Sequence, residues 1–146
     1  MFRNILLASD GSQASLHAAR LALDLARVHS ASLLVLYVVD PYPFIGIGEV
    51  NPMGFDAYMG AARQKASEAH RQVADLARSL QHSQPVEELT VEEVSASEGI
   101  VKTAQDRGAD LIVIGSHGRS GVARLVMCSV AHKVVSQSPV PVLVSR

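Results

Sequence analysis

Three glycines at a spacing of three, Gly115, Gly118 and Gly121, mark the stretch of this chain best suited to chemistry. They lie in Gly115-Ser-His-Gly-Arg-Ser-Gly121, just after the apolar run Leu-Ile-Val-Ile114 and ahead of a helical pattern near Ser129 and Val130. Strand, glycine-rich loop and helix N-terminus in that order gather backbone N–H groups around one point. Such a point suits an anion, most often a phosphate. Glycine lets the backbone approach a ligand without Cβ obstruction. Arg119 and Arg124 could add positive charge. The plain alternative is a tight strand-to-helix loop whose glycines serve positive φ, with two solvated arginines beside it. The residues alone leave both readings open.

Other combinations are weaker. The six histidines include no pair at H-x-x-x-H spacing, and the single cysteine cannot build a zinc site. Gly118-Arg-Ser120-Gly121 misses the G-x-S-x-G nucleophile elbow by one residue. Asp10, His117 and Ser120 would make a triad only by chance, because nothing in their spacing supports it. Neither G-x-x-x-x-G-K-[ST] nor G-x-G-x-x-G occurs. His117 either lines a pocket or is a solvated loop residue.

The elements that must position these residues alternate along the chain. Asn4-Ile-Leu-Leu-Ala8 reads as a strand buried on both faces, ending at the turn and capping cluster Ser9-Asp10-Gly11-Ser12. A helix follows to about residue 29, its polar stripe at Gln13, His17, Arg20, Asp24 and Arg27. The second buried strand covers 31–39. A long loop with three Pro and three Gly spans 41–54, and loops of that length are usually functional or mobile. A helix is expected over 56 to about 81, with Ala62, Ala66, Ala69, Val73, Leu76, Ala77 and Leu80 on its apolar face. The third strand lies within 85–94. Its glutamates at 87, 88, 92 and 93 suit an exposed sheet edge. Ser95 with Glu98 fits a capping box, and Gly108 stops the third helix. A strand at 111–114, a helix to about 138 and a strand at 139–144 complete the pattern. The prolines at 139 and 141 suit a strand start or an edge. Alternation of this kind calls for an α/β fold, an open parallel sheet with helices on both faces. Ligands bind such sheets beyond the carboxyl ends of strands, where the winding direction reverses.

The chain has 146 residues, 48% of them hydrophobic and 18% charged, with a formal net charge of −1. One domain over residues 1–146, with a sizeable core, is expected. No cationic cluster points to nucleic acid or an anionic membrane, and no apolar run nears the roughly 20 residues of a membrane span. The N-terminus runs directly into a strand and one cysteine excludes an internal disulfide, so no signal peptide and a cytoplasmic location are expected.

Taken together, Ser9-Asp10-Gly11-Ser12, Tyr37-Val38-Val39-Asp40-Pro41, Gly108-Ala109-Asp110-Leu111-Ile112-Val113, the glycine loop, Ser129-Val-Ala131 and Pro141-Val-Leu-Val144 resemble the universal stress protein family over essentially the whole length. The resemblance implies a five-stranded Rossmann-like sheet in order 3-2-1-4-5. It also implies a homodimer, paired through the last strand (Val140 to Val144), and unknown protein partners. One branch of the family binds ATP, or ADP or AMP, with Mg²⁺ expected beside it. Carried over by position, Asp10 would meet the ribose side and Val38 the adenine edge. Gly115, Gly118 and Ser129 would hold phosphates, with Val130 beside them and Arg119 and Arg124 as weaker candidates. The family's third motif glycine falls on Cys128, where a Cβ and sulfur could crowd the phosphates. A thiol at a helix N-terminus also gains thiolate character, which would make a redox-sensitive switch, although a small residue packed under the loop is the blander reading. The Ser-Gly-Gly-x-Asp-Ser and His-x-Gly-His signatures of related nucleotide-hydrolysing folds are both missing. The implied function is a nucleotide-binding stress-response module with at most slow ATP hydrolysis. The alternative is a nucleotide-free interaction module of the same fold.

Overall fold

The computed structural model of the chain describes residues 1–42, 52–117 and 129–146. Among the described residues, nine elements run in strict strand–helix alternation. They are β1 (Asn4–Ala8), α1 (Gln13–His29), β2 (Ser32–Val38), α2 (Pro52–Ser79), β3 (Val86–Val91), α3 (Ala96–Asp106), β4 (Leu111–Gly115), α4 (Ser129–Gln137) and β5 (Val142–Ser145). The strands form one parallel sheet in the order β3-β2-β1-β4-β5, the order that the family resemblance implies.

Period-two alternation divides the sheet's side chains between two cores. Ile5, Leu7, Leu33, Val35, Leu111 and Val113 face one side, where Ala18, Ala19, Ala22, Leu23 and Ala26 of α1 and Val73 of α2 cover them. Leu6, Leu36, Ile112 and Ile114 face the other, against Ile100 and Ala104 of α3 and Ala131 and Val134 of α4. The small residues on α1 let it lie close to the sheet. Asp110 ties the starts of β4 and β1 together, accepting from the backbone N–H of Arg3 at 2.8 Å and of Asn4 at 3.1 Å.

The local signals act largely as read. Ser12 caps α1, its side chain accepting from Ser15 N–H at 3.2 Å. Gly108 follows α3 at φ 62°, and Gly11 carries the β1–α1 turn at φ 80°. β3 is an edge strand whose Glu87 pairs with Arg107 and whose flanking Glu92 holds Arg63 at 2.8 Å.

Three details differ from expectation. α2 begins at Pro52, four residues before 56, because a proline needs no partner for the N–H it lacks in a first helical turn. Ser95 occupies the N-cap of α3 but makes no side-chain cap bond; its hydroxyl instead lies 3.4 Å from Glu98 Oε2, so the capping box does not close. β5 starts only at Val142, after both prolines, although Pro141 O still accepts from Ile112 N–H at 3.0 Å. No helix among the described residues is long and apolar enough to cross a membrane.

Two histidines with lowered pKa values should make the fold less stable in acid. His70 on α2 is buried, with Nδ1 4.0 Å from Glu88 and Nε2 without a partner. Burial lowers its pKa, against the pull of Glu88 and a backbone hydrogen bond at Leu89. His82 is also lowered, by burial and then by Arg27. A lowered histidine pKa means the unfolded chain binds protons more readily than the folded one. The associated stability is therefore full above about pH 6.5 and is lost as pH falls through the folded-state values. The unfolding midpoint should drop between about pH 7.5 and about pH 5.5. In a His70→Gln/His82→Gln variant that drop should shrink. An unchanged slope in the variant would assign the acid sensitivity to other groups.

Candidate functional site

The sheet order places β1 between β2 and β4, so the chain winds in opposite directions from β1. A crevice is expected beyond the carboxyl ends of strands at that point. An open cavity of about 310 Å³ lies there. Ala8, Ser9 and Asp10 enter it from the end of β1, and Ser15 from the first turn of α1. Leu36, Val38 and Asp40 come from the end of β2; Ile114, Gly115 and His117 come from the end of β4. Ala96 and Ile100 of α3 and Ser129 and Val130 of α4 close the far wall.

The structure thus brings together Asp10, Val38, Gly115, Ser129 and Val130, residues far apart in sequence. Gly118, Arg119, Arg124 and Cys128 lie outside the described residues, as does most of the 41–54 loop. His117, expected first as a solvated loop residue with pocket lining as the alternative, is half-buried and lines the crevice.

The β1–α1 corner is hydrogen-bonded throughout. Asp10 Oδ1 accepts from Ser12 N–H at 2.9 Å. Ser9 N–H donates to Leu36 O at 2.9 Å, which locks the end of β1 to β2. Ser15 Oγ donates to Ser12 O at 2.8 Å and lies 3.5 Å from Ser9 Oγ. On the β2 side, Tyr58 of α2 donates its hydroxyl to Asp40 O at 2.9 Å. Tyr42 meets the edges of Phe55 and Tyr58, so an aromatic group buttresses the exit of β2. Burial and then Asp40 raise the Tyr58 pKa above its ordinary value.

Gly115 has a specific steric reason to be glycine. A Cβ there would stand 3.0 Å from both C and O of Ala14 and 3.2 Å from its Cβ. Its φ is not in the positive range; among the described glycines only Gly11 and Gly108 are. The plain-loop explanation by positive φ therefore does not hold at Gly115. The residue is small because the end of β4 touches the first turn of α1.

Chemically the crevice has two halves. Leu36, Val38, Ala96, Ile100 and Ile114 give the lining an apolar part, called the apolar slot below. Ser9, Ser15 and Ser129 give a polar part, with the O–H groups of Ser9 and Ser15 engaged in the β1–α1 corner, and the N-terminal turn of α4 begins at its rim. Its described lining includes the carboxylates Asp10 and Asp40 but no Lys or Arg. The lining residues not anticipated from the sequence are Ala8, Ser9, Ser15, Leu36, Asp40, Ala96, Ile100 and Ile114. Asp40 closes the second strand just as Asp10 closes the first, and that position was a usable signal.

The universal stress protein family model matches residues 1–146. A universal stress protein of Methanocaldococcus jannaschii is 32% identical over 146 residues, covering 100% of this chain and 83% of the relative. A universal stress protein of Thermus aquaticus is 34% identical over 146 residues, with 100% of both chains covered. Among solved structures, universal stress protein UspA of Lactobacillus plantarum superposes with a TM-score of 0.81 at 24% identity over 99% of this chain and 97% of its own. A universal stress protein in complex with cAMP gives 0.74 at 24% identity, over 99% and 97%. The Archaeoglobus fulgidus universal stress protein in complex with dAMP gives 0.66 at 20% identity, over 100% and 98%. These structures share the fold.

Proposed function

From the premise that this chain belongs to the universal stress protein family, we propose that its crevice binds an adenine nucleotide and that the protein works as a nucleotide-responsive stress module, not as a catalyst. The observation that carries the reading is the convergence of Asp10, Val38, Gly115, Ser129 and Val130 on one cavity at the winding reversal of the sheet. Solved relatives of the same fold with cAMP and dAMP support it. The apolar slot would take the base. The hydroxyl side and the α4 N-terminus would take the ribose and phosphates, with Gly118, Arg119 and Arg124 of the adjoining loop completing the cradle.

ATP with Mg²⁺ is the form proposed. Asp10 and Asp40 are hard oxygen donors in the lining, Asp10 on the side proposed for the ribose, and the described lining supplies no Lys or Arg. Groups of three or more candidate metal ligands are absent among the described residues. Magnesium would therefore arrive with the phosphates and not in a protein cage. When bound it would neutralise phosphate charge beside those carboxylates. The whole of residues 1–146 would act as one cytoplasmic domain. It would pair with a second copy through Val140 to Val144, where β5 leaves one sheet edge open.

A nucleotide-free interaction module is the second reading. Cys128 in the third glycine position and the two carboxylates in the lining favour it. Thermal unfolding with millimolar Mg-ATP, with Mg-GTP as control, separates the two. A ligand at about 100 times its Kd adds roughly 2.7 kcal/mol, a rise of about 5–10 °C for a domain of this size. A rise with ATP alone supports the adenine site. No rise with ATP or AMP favours the interaction module, and Cys128→Gly then asks whether the thiol is the obstacle.

A further inference from the structure

We propose that Gly99 sets the width of the crevice's apolar slot by allowing α3 to lie directly against Val38. The inference rests on the nucleotide reading above and deepens it by naming a positioning residue that does not itself line the cavity. Gly99 is buried within α3, and its N–H donates to Ser95 O at 2.8 Å. Glycine is unfavourable inside a helix relative to alanine, so a glycine here needs a steric reason. The structure supplies one. A Cβ on Gly99 would stand 3.0 Å from Val38 Cγ1, 3.1 Å from Val38 Cγ2 and 3.0 Å from Val94 Cγ1. Those distances are shorter than the roughly 3.5–4.0 Å of relaxed carbon contacts.

Something must yield to any side chain at that position. Val38 lines the crevice, whereas Val94 does not. If Val38 yields, its methyl groups turn into the space meant for the base. If α3 recoils, it carries Ala96 and Ile100, the opposite part of the slot, with it. In either case the fit to a flat ring is lost while the hydroxyl side at Ser9, Ser15 and Ser129 stays in place. Gly99 thus acts on specificity through Val38 and touches no ligand.

The test is a double-mutant cycle read by calorimetric titration of AMP into the full chain. Wild type, Gly99→Ala, Val38→Ala and Val38→Ala/Gly99→Ala are compared. Gly99→Ala should weaken AMP about tenfold when Val38 is present, equivalent to about 1.4 kcal/mol. It should weaken AMP less than about twofold when position 38 is already alanine, because the methyl groups it displaces are gone. A merely structural role would cost the same in both backgrounds, and that result overturns the proposal. So does full affinity in Gly99→Ala. If wild type binds no adenine nucleotide, the nucleotide reading itself fails and this inference falls with it. Should Gly99→Ala not fold, Val94→Ala/Gly99→Ala gives the new methyl group room on the Val94 side. In that double variant the contact with Val38 remains, so it should still bind AMP at least about threefold more weakly than Val94→Ala, and equal affinity would overturn the proposal.

Discussion

Gly115→Val is expected to lower the unfolding midpoint by roughly 3–10 °C and to abolish adenine-nucleotide binding. The atoms in the way are backbone, C and O of Ala14 at 3.0 Å, and not the end of a flexible side chain. Neither partner is free to retreat. The first turn of α1 is held by the Ser12 cap and by the Asp10 bond to Ser12 N–H. Gly115 sits in the sheet opposite Ser145 of β5, and the next residue's N–H donates to Ser145 O at 2.7 Å. Overpacking of this kind costs about 1–3 kcal/mol, and more when backbone must move. Parting β4 from α1 also opens the crevice at the corner where Asp10, Ser15 and Gly115 meet. Gly115→Ala, with the same Cβ but nothing beyond it, should show a smaller loss of the same kind. Differential scanning calorimetry with and without Mg-ATP checks both. A valine variant with wild-type stability would refute the contact.

A loss of about 2–5 kcal/mol is expected for Ile112→Ala, a fall of roughly 5–15 °C in midpoint. Ile112 is fully buried at the centre of the core shared by Leu6, Leu36, Ile100, Ala131 and Val134. It lies in β4, paired with Leu6 on one side and Val142 on the other. Truncation leaves a cavity between the sheet and the α3/α4 layer that strands paired on both sides cannot close. Ile112→Val removes one methylene and should cost only about 0.5–1.5 kcal/mol. Urea denaturation of the two variants separates them. Equal losses would mean that the site collapses freely and that the two helices are not held to the sheet as described.

Much of this architecture is legible in residue order because its signals are local. Ser12 caps α1, Gly108 terminates α3 and the acidic run of β3 marks an edge, each for a reason confined to a few neighbouring residues. The starts of elements are less legible. Pro52 reads as loop, yet a first helical turn tolerates it. Ser95 and Glu98 have the spacing of a capping box, but the serine hydroxyl turns to the glutamate side chain instead of a backbone N–H.

For the site, motif resemblance nominated Asp10, Val38, Gly115, Ser129 and Val130, which the fold brings to one cavity. It did not nominate Ile100 or Ala96, because the wall they form exists only once α3 docks on β2. The contacts of Gly115 with Ala14 and of Gly99 with Val38 are tertiary in the same sense. Glycine in a sequence announces freedom or closeness without saying to what.

An adenine nucleotide is proposed to occupy the crevice at the reversal of the sheet. Amide chemical-shift mapping by NMR during an AMP titration tests it most directly. Saturable shifts are expected at Ser9, Asp10, Val38, Gly115, His117, Ser129 and Val130, with GMP much weaker. Shifts clustered at the opposite ends of the strands, around Asn4, Ser32 and Arg107, or no saturable shifts at all, would contradict it.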